Sequence, residues 1–137
     1  MLKDRFKFRL YDKAIGEMVY DVCVGFIKDS GKTDDWVCAN TSCGQITYRG
    51  DKLKDIVLMQ CTGLKDKNGK LIYEGDIIKC SYDSEFAIGV IEWDSEELQF
   101  ALKIEDAFYS IRQKTKFDII EILGNIYENP ELLENKQ

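Results

Sequence analysis

The sequence predicts a mainly β protein in which an N-terminal β-hairpin region packs with a C-terminal small barrel of the SH3-like type. Apolar and polar residues alternate in short runs, and glycine-bearing turns separate those runs at short, regular spacing. The length of 137 residues, with 45% hydrophobic content, suits one compact domain or two small halves sharing a core. We place the N-terminal β region at residues 1–57, the barrel at residues 58–127, and a C-terminal turn and tail at residues 128–137.

The N-terminal region begins with a predicted hairpin. Phe6, Phe8 and Leu10 alternate with basic residues, which predicts a half-buried strand over residues 5–11. A turn at residues 12–17 leads to a second predicted strand over residues 18–27. Its proposed inner face consists of Tyr20, Val22, Val24 and Phe26.

The next segment, residues 33–51, is polar and weakly patterned. Its composition predicts loops and short edge strands. Residues 51–55 predict a single helical turn, and the apolar run from Ile56 predicts a strand.

Residues 62–78 carry the clearest turn signals in the chain. Asn68 and Gly69 tolerate positive φ and predict a tight reversal. Gly75 and Asp76 predict a second bend before Ile77 enters a core. We expect the Asp76 carboxylate to brace that bend by accepting backbone amides.

The C-terminal half predicts a second hairpin and three further short elements. Residues 88–93 and 98–104 alternate as strands around a connector, and residues 108–112 offer another short strand. Residues 118–127 fit both a helical stripe and a strand, and Gly124 favours the strand. Pro130 predicts the start of a short terminal turn.

Charge disfavours a nucleic-acid partner, and hydropathy argues against a membrane partner. The net charge of −6 and a pI near 4.8 have the wrong sign for affinity gained by neutralising phosphates. A basic strip at the start of the chain predicts one cationic, solvated strand face: Lys3, Arg5, Lys7 and Arg9. The longest apolar runs, residues 22–27 and 86–91, are too short for a membrane span, so we expect a cytoplasmic protein with no membrane partner.

The chain lacks the residues that most active sites use. It contains no histidine, which excludes Ser-His-Asp and Cys-His nucleophiles and histidine-ligated zinc. Carboxylate pairs such as Glu96 and Glu97, or Glu74 and Asp76, remain as acid or base candidates, and turn formation and solvation explain both pairs better. We therefore predict no enzyme activity, no catalytic residue and no cofactor.

Five cysteines form an odd number with no C-x-x-C pair, so we expect reduced thiols. Cys23 and Cys80 lie in strand patterns, where cysteine serves as a small hydrophobe. Cys38 and Cys43 enclose a polar loop and could bring two thiolates to a metal. A structural zinc would also need Cys61 and Cys80 there, and we treat it as the lesser alternative.

Blocks spread over most of the chain resemble the YopX family of bacteriophage and prophage proteins. They are KFR and YD at residues 7–9 and 11–12, LMQ and TGLKDKNGK at 58–60 and 62–70, IYEGDI at 72–77, and GNIYENPELL at 124–133. Cys61 stands where an aromatic residue is usual, and Leu10 where a small one is common. The resemblance implies a mainly β fold with an SH3-like C-terminal part, in a phage-encoded protein of the host cell cytoplasm whose activity is not established.

The favoured function is a protein-interaction or self-assembly module. Small β barrels present edge strands and aromatic faces, and four rings lie near the best turns: Tyr73, Tyr82, Phe86 and Trp93. The alternative for these rings is a place in the core. A nucleic-acid accessory role is second, and it needs the basic strip and Lys65, Lys67 and Lys70 to share one face with an aromatic residue between them.

Overall fold

The structure, a computed structural model, describes residues 4–29, 32–111 and 117–134. Its contacts divide the chain into two compact units, Phe6–Gln60 and the rest of the chain, which we call the N-terminal and C-terminal units. Antiparallel strands build both units, so the predicted mainly β class is confirmed. The predicted boundary after residue 57 stays a prediction.

The N-terminal unit contains five complete strands and the start of a sixth. They are β1 (Phe8–Asp12), β2 (Glu17–Tyr20), β3 (Cys23–Asp29), β4 (Lys32–Thr41), β5 (Gly44–Arg49) and β6 (Ile56–Lys65). β1 pairs with β2 and with residues 56–60 of β6, while β4 lies between β3 and β5. Their shared core contains Leu10, Val19, Val22, Val37, Ala39 and Tyr48. A 3-10 turn at Gly50–Asp55 confirms the helical turn predicted there.

The single strand predicted over residues 18–27 is wrong. Asp21 adopts a φ of 57°, which breaks the run into β2 and β3. The break shifts the alternation by one residue, so Val19 and Val22 are both buried while Tyr20 is 45% exposed.

The prediction of loops and short edge strands over residues 33–51 is wrong for most of that segment, because β4 and β5 form a long hairpin there. Of these two strands, only β5 is an edge strand, as predicted. Val37 and Ala39, two residues apart in β4, lie on the inner face of this hairpin, and Val37 opposes Tyr48 of β5. The polar residues between them belong to the outer face of the hairpin and hide this alternation in the sequence.

The predicted cationic strand face does not form. Residues 4–6 are a 3-10 turn instead of a strand, and Lys3 lies outside the described residues. Arg9 is only 2% exposed, with its guanidinium stacked on the Tyr20 ring at 5.8 Å from the centroid. The basic residues therefore do not alternate along one strand, and one of the four, Arg9, is buried.

The C-terminal unit contains a five-stranded antiparallel sheet. Its strands are β8 (Asp76–Tyr82), β9 (Glu85–Asp94), β10 (Gln99–Ile104), β11 (Ala107–Ser110) and β12 (Phe117–Asn125), and β7 (Leu71–Tyr73) pairs with the end of β6. Strands β8 to β11 form an antiparallel meander, and β12 pairs with the other side of β8, which gives the order β11-β10-β9-β8-β12. The strand prediction for residues 118–127 is confirmed, and helix α1 (Glu131–Glu134) confirms the terminal turn.

Strand register divides the side chains of this sheet between two faces, because opposed residues of an antiparallel pair lie on the same side. Ile91 opposes Leu102, and both belong to the buried cluster. We call this side the Leu102 face. Val90 opposes Lys103, which opposes Phe108, and we call this side the Phe108 face.

Candidate interaction surface

The carboxylate of Asp66 holds the turn in the longest family-like block. Its Oδ1 accepts the amides of Asn68 and Lys70, each at 2.9 Å. Its Oδ2 accepts the amide of Ile122 in β12 at 3.1 Å. One side chain therefore closes the 66–70 turn and fixes it to the edge of the sheet.

The same contacts set the protonation of this group. Burial acts to raise the pKa of Asp66, but the amide hydrogen bonds from Lys70, Ile122 and Asn68, with the charge of Lys70, outweigh it and lower the pKa below its usual value. Asp66 is 8% exposed. It is an ionised structural group, unsuited to acid or base catalysis near neutral pH.

The second bend has a similar brace. Asp76 Oδ2 accepts the amide of Tyr73 at 2.8 Å, which confirms the role predicted for that carboxylate. Gly75, at a φ of 83°, donates its amide to Ile91 and accepts from Ile126 through its carbonyl. The bend thus joins β9 to the chain that follows β12.

The GNIYEN block is also structural. Asn125 Oδ1 accepts the amides of Tyr127 at 3.0 Å and Glu128 at 2.8 Å. The Asn129 side chain accepts the Asn125 amide and packs over Gly124, where an added Cβ would lie 2.8 Å from Asn129 Cγ. Backbone amides thus engage polar side chains in three of the family-like blocks.

No group of three or more cysteine, aspartate or glutamate residues gathers around a metal position within the described ranges. Cys38 lies inside strand β4 and Cys43 in the two-residue turn after it, so they do not enclose the predicted loop. Cys80 is buried as predicted. Cys23 begins strand β3, in line with its predicted strand position, but it is exposed and so does not serve as a buried hydrophobe.

The four aromatic residues proposed as contacts occupy different environments. Tyr73 is buried at 4% exposure, so it is not part of a surface in this structure. Tyr82 lies in β8, and its side chain is outside the described part of the molecule. Phe86 is 70% exposed, and Trp93 is 47% exposed with its ring edge-on to Phe100 at 5.1 Å.

Besides Leu64, which is 37% exposed in β6, sequence reasoning missed three further exposed hydrophobic residues of the same unit. Leu98 is 74% exposed, at a φ of 54° in the β9–β10 turn, and Phe108 and Tyr109 are 44% and 38% exposed in β11. The pattern of residues 108–112 predicted a short strand. Its position at the edge of the sheet depends on strand order, which the local sequence does not record.

The Phe108 face combines aromatic rings with lysines. Lys79 Nζ lies 4.8 Å from the centroid of the Phe86 ring, and Lys103 Nζ lies 5.8 Å from that of Phe108. A surface depression of about 620 Å³ adjoins Phe86. It is lined by Lys67, Ser81, Ser84, Phe86, Asp118 and Ile119.

The two edges of the five-stranded sheet differ. At the β12 edge, the Ile122 amide donates a hydrogen bond to the Asp66 carboxylate and is not available to another strand. At the opposite edge, β11 pairs with β10, and no other strand in the described residues pairs with it. Within the described residues, none of the helices is long and apolar enough to span a bilayer.

Comparison with known proteins agrees with this architecture. A family model described as YopX protein matches residues 7–134. A crystal structure of protein EF1440 from Enterococcus faecalis is 28% identical, with a TM-score of 0.56 over 93% of this chain and 96% of that one. An X-ray structure of protein yopX from Bacillus subtilis is 20% identical, with a TM-score of 0.61 over 93% and 98% of the two chains. No curated protein sequence matches the chain.

Proposed function

The chain belongs to the YopX family, and from that premise we propose that it is a phage or prophage protein without catalytic activity, which binds another protein or a second copy of itself. Its proposed location is the host cell cytoplasm. The observation that carries the proposal is the exposed aromatic pair Phe108 and Tyr109 on the edge strand β11.

The composition of β11 distinguishes it from the other edge strands. Proteins commonly protect edge strands with charged residues, and β2, β3, β5 and β12 all contain at least one. β11 contains none, and most of its side chains are exposed. β7 is also uncharged, but it is mostly buried. β11 is therefore the exposed edge strand, among those described, that has no charged side chain to oppose pairing with a partner strand.

The two aromatic rings of β11 point to opposite faces of the sheet. Phe108 opposes Lys103, and Tyr109 opposes Leu102. A strand added to this edge would gain main-chain hydrogen bonds and one exposed ring on each face, which is the recognition mode of β-strand addition. Phe86 lies on one face and Trp93 on the other, both exposed on β9, two strands from this edge.

The absence of histidine and the use of carboxylates as turn braces support a non-catalytic role. Asp66 and Asp76 accept backbone amides, and Asp94 Oδ1 accepts those of Glu96 and Glu97 at 3.1 and 3.3 Å. The Glu96 and Glu97 side chains are exposed.

Sedimentation velocity over a wide concentration range tests the proposal first. We expect concentration-dependent association of the wild type, which the double substitution Phe108→Lys and Tyr109→Lys weakens at least tenfold. Leu98→Lys, which adds the same charge at an exposed apolar position away from the edge, is the matched control. All three proteins should have similar unfolding midpoints.

If the wild type is monomeric, quantitative capture from phage-infected host cells compares the same three proteins. The proposal expects proteins retained by the wild type and Leu98→Lys but lost with the double variant. A monomeric wild type that captures the same proteins in the same amounts as the double variant would overturn it.

A nucleic-acid accessory role is the second candidate, and one observation favours it. Lys67 and Phe86 line the same depression, and Lys79 lies over the Phe86 ring, which resembles a stacking platform between cations. Asp118 in the same lining and the loss of the N-terminal basic face oppose it. Binding of single-stranded DNA at low salt, reduced by Phe86→Ala, would support this role, and no binding there would remove it.

A further inference from the structure

Two cysteines lie directly opposite one another in the N-terminal unit. Cys23 of β3 and Cys38 of β4 are register partners in an antiparallel pair. Both thiols are free in the structure, Cys23 exposed and Cys38 half-buried. Opposed residues of such a pair have their side chains on the same side of the sheet.

That side is the outer one. Val37, adjacent to Cys38 in β4, points into the core with Tyr48, so Cys38 points away from it. The Gln45 side-chain amide donates to Cys38 Sγ at 3.3 Å. Cys23 and Cys38 therefore share a surface that small molecules reach without any opening of the core.

The spacing of the ladder suits a disulfide. Opposed residues of antiparallel strands have Cα atoms about 4.5 or 5.5 Å apart, depending on the hydrogen-bonding position. Disulfides span Cα separations of about 4.4–6.8 Å. Either type of pair lies inside that window, whereas the Cβ atoms of opposed residues are about 4.5–5.5 Å apart and must approach to about 3.5–4.5 Å. The bond therefore needs side-chain rotation and a small local closing of the two strands.

We propose that Cys23 and Cys38 are a modification site that forms a reversible intramolecular disulfide by exchange with small disulfides of the oxidised-glutathione class. The Cys23 thiolate attacks one glutathione sulfur, forms a mixed disulfide and releases one glutathione thiolate. The Cys38 thiolate then attacks Cys23 Sγ and releases the second. Two protein thiols are oxidised, one small disulfide is reduced to two thiols, and the two protons pass to the glutathione products.

Exposure decides which cysteine reacts first and which thiols compete. Cys23 is the exposed member of the pair, so its thiolate is the first to attack the small disulfide. Cys61 and Cys80 are buried, and burial raises the pKa of the Cys80 thiol. Cys43 is exposed in the β4–β5 turn and is the competing thiol among these described cysteines.

Trp36 provides a direct optical readout. It opposes Gly25, two residues along each strand from the cysteine pair and on the same side of the sheet. Its ring covers Gly25 so closely that a Cβ there would collide with it. A disulfide quenches nearby indole fluorescence, so oxidation of this cysteine pair should lower the fluorescence intensity of Trp36.

The experiment equilibrates the full chain with mixtures of reduced and oxidised glutathione, followed by acid quenching and alkylation. The protein carries Trp93→Phe so that Trp36 is its only tryptophan. We expect a product two hydrogen atoms lighter, a Cys23–Cys38 cross-link in peptide mapping, and a parallel fall in fluorescence that dithiothreitol reverses.

Single serine substitutions provide the controls. Cys43→Ser should keep the cross-link and the fluorescence change, while Cys23→Ser and Cys38→Ser should lose both. Far-ultraviolet circular dichroism of each variant checks that it is folded. A cross-link that maps to Cys43, a bond between two chains, or a glutathione adduct that never resolves in folded Cys43→Ser would each overturn the proposal.

Discussion

Asp66→Asn tests whether the turn carboxylate holds the C-terminal unit together. Asp66 accepts three amide hydrogen bonds through both of its oxygens. An asparagine keeps one acceptor oxygen for the Asn68 and Lys70 amides but presents an NH2 group to the Ile122 amide. Hydrogen bonds to charged groups contribute about 1.5–3 kcal/mol each, and an unsatisfied buried donor costs a similar amount.

We therefore expect Asp66→Asn, which loses the Ile122 bond, to lower the free energy of unfolding by about 1.5–3 kcal/mol, and Asp66→Ala, which loses all three bonds, to lower it by more than that. Urea unfolding at pH 7, followed by circular dichroism, measures both differences. Glu97→Gln removes a charge from an exposed side chain and is the matched control. It should change the free energy of unfolding by less than about 0.5 kcal/mol.

The pH dependence has a definite sign. The folded pKa of Asp66 lies below its usual value of 3.8, so the carboxylate stabilises the fold fully above that pH. This contribution is lost as the pH falls from 3.8 towards the lower folded pKa. The difference in the free energy of unfolding between wild type and Asp66→Asn should become smaller over that range. Equal stability of the two proteins at pH 7, or a constant gap into acid, would refute the reasoning.

Two further substitutions probe the interiors of the units. Tyr48→Phe removes the 2.6 Å hydrogen bond to the buried Asp12 carboxylate and should destabilise the N-terminal unit by about 1–3 kcal/mol in urea unfolding. Because burial and the hydrogen bond to Asp12 raise the pKa of Tyr48 above 10.0, the wild type should also lose stability more steeply than the phenylalanine variant as the pH rises past that value. Gly124→Ala places a methyl group against the Asn129 side chain and should lower the thermal unfolding midpoint; Gly124 does not have a positive φ, so the expected loss comes from that contact. An unchanged midpoint for Gly124→Ala would show that Asn129 moves aside freely.

Local chemistry determined the parts of the fold that the sequence predicted. Gly69 and Gly75 adopt φ values of 80° and 83° at the expected reversals, because the need for positive φ is a property of those residues and their neighbours. Asp76 braces its bend through an amide three residues away. Such short-range contacts are readable without knowledge of the partner strands.

The features that the sequence did not predict depend on the pairing of strands distant in the chain. Asp21 is a non-glycine residue at positive φ, and no local signal marks the break that it makes between β2 and β3. Tyr73 and Phe86 are both aromatic residues near turns, yet one is 4% and the other 70% exposed, and no local feature of the sequence distinguishes them. The open edge at β11 likewise follows from strand order.

Hydrogen exchange at β11 tests the central claim most directly. The amides of Ala107–Ser110 are compared in dilute protein and in the associated state, whether that state is a self-assembly or a complex with a captured partner. The claim predicts that these amides become protected on association, while those of the charged edge strand β2 do not change. Association that leaves β11 exchange unaltered would contradict it.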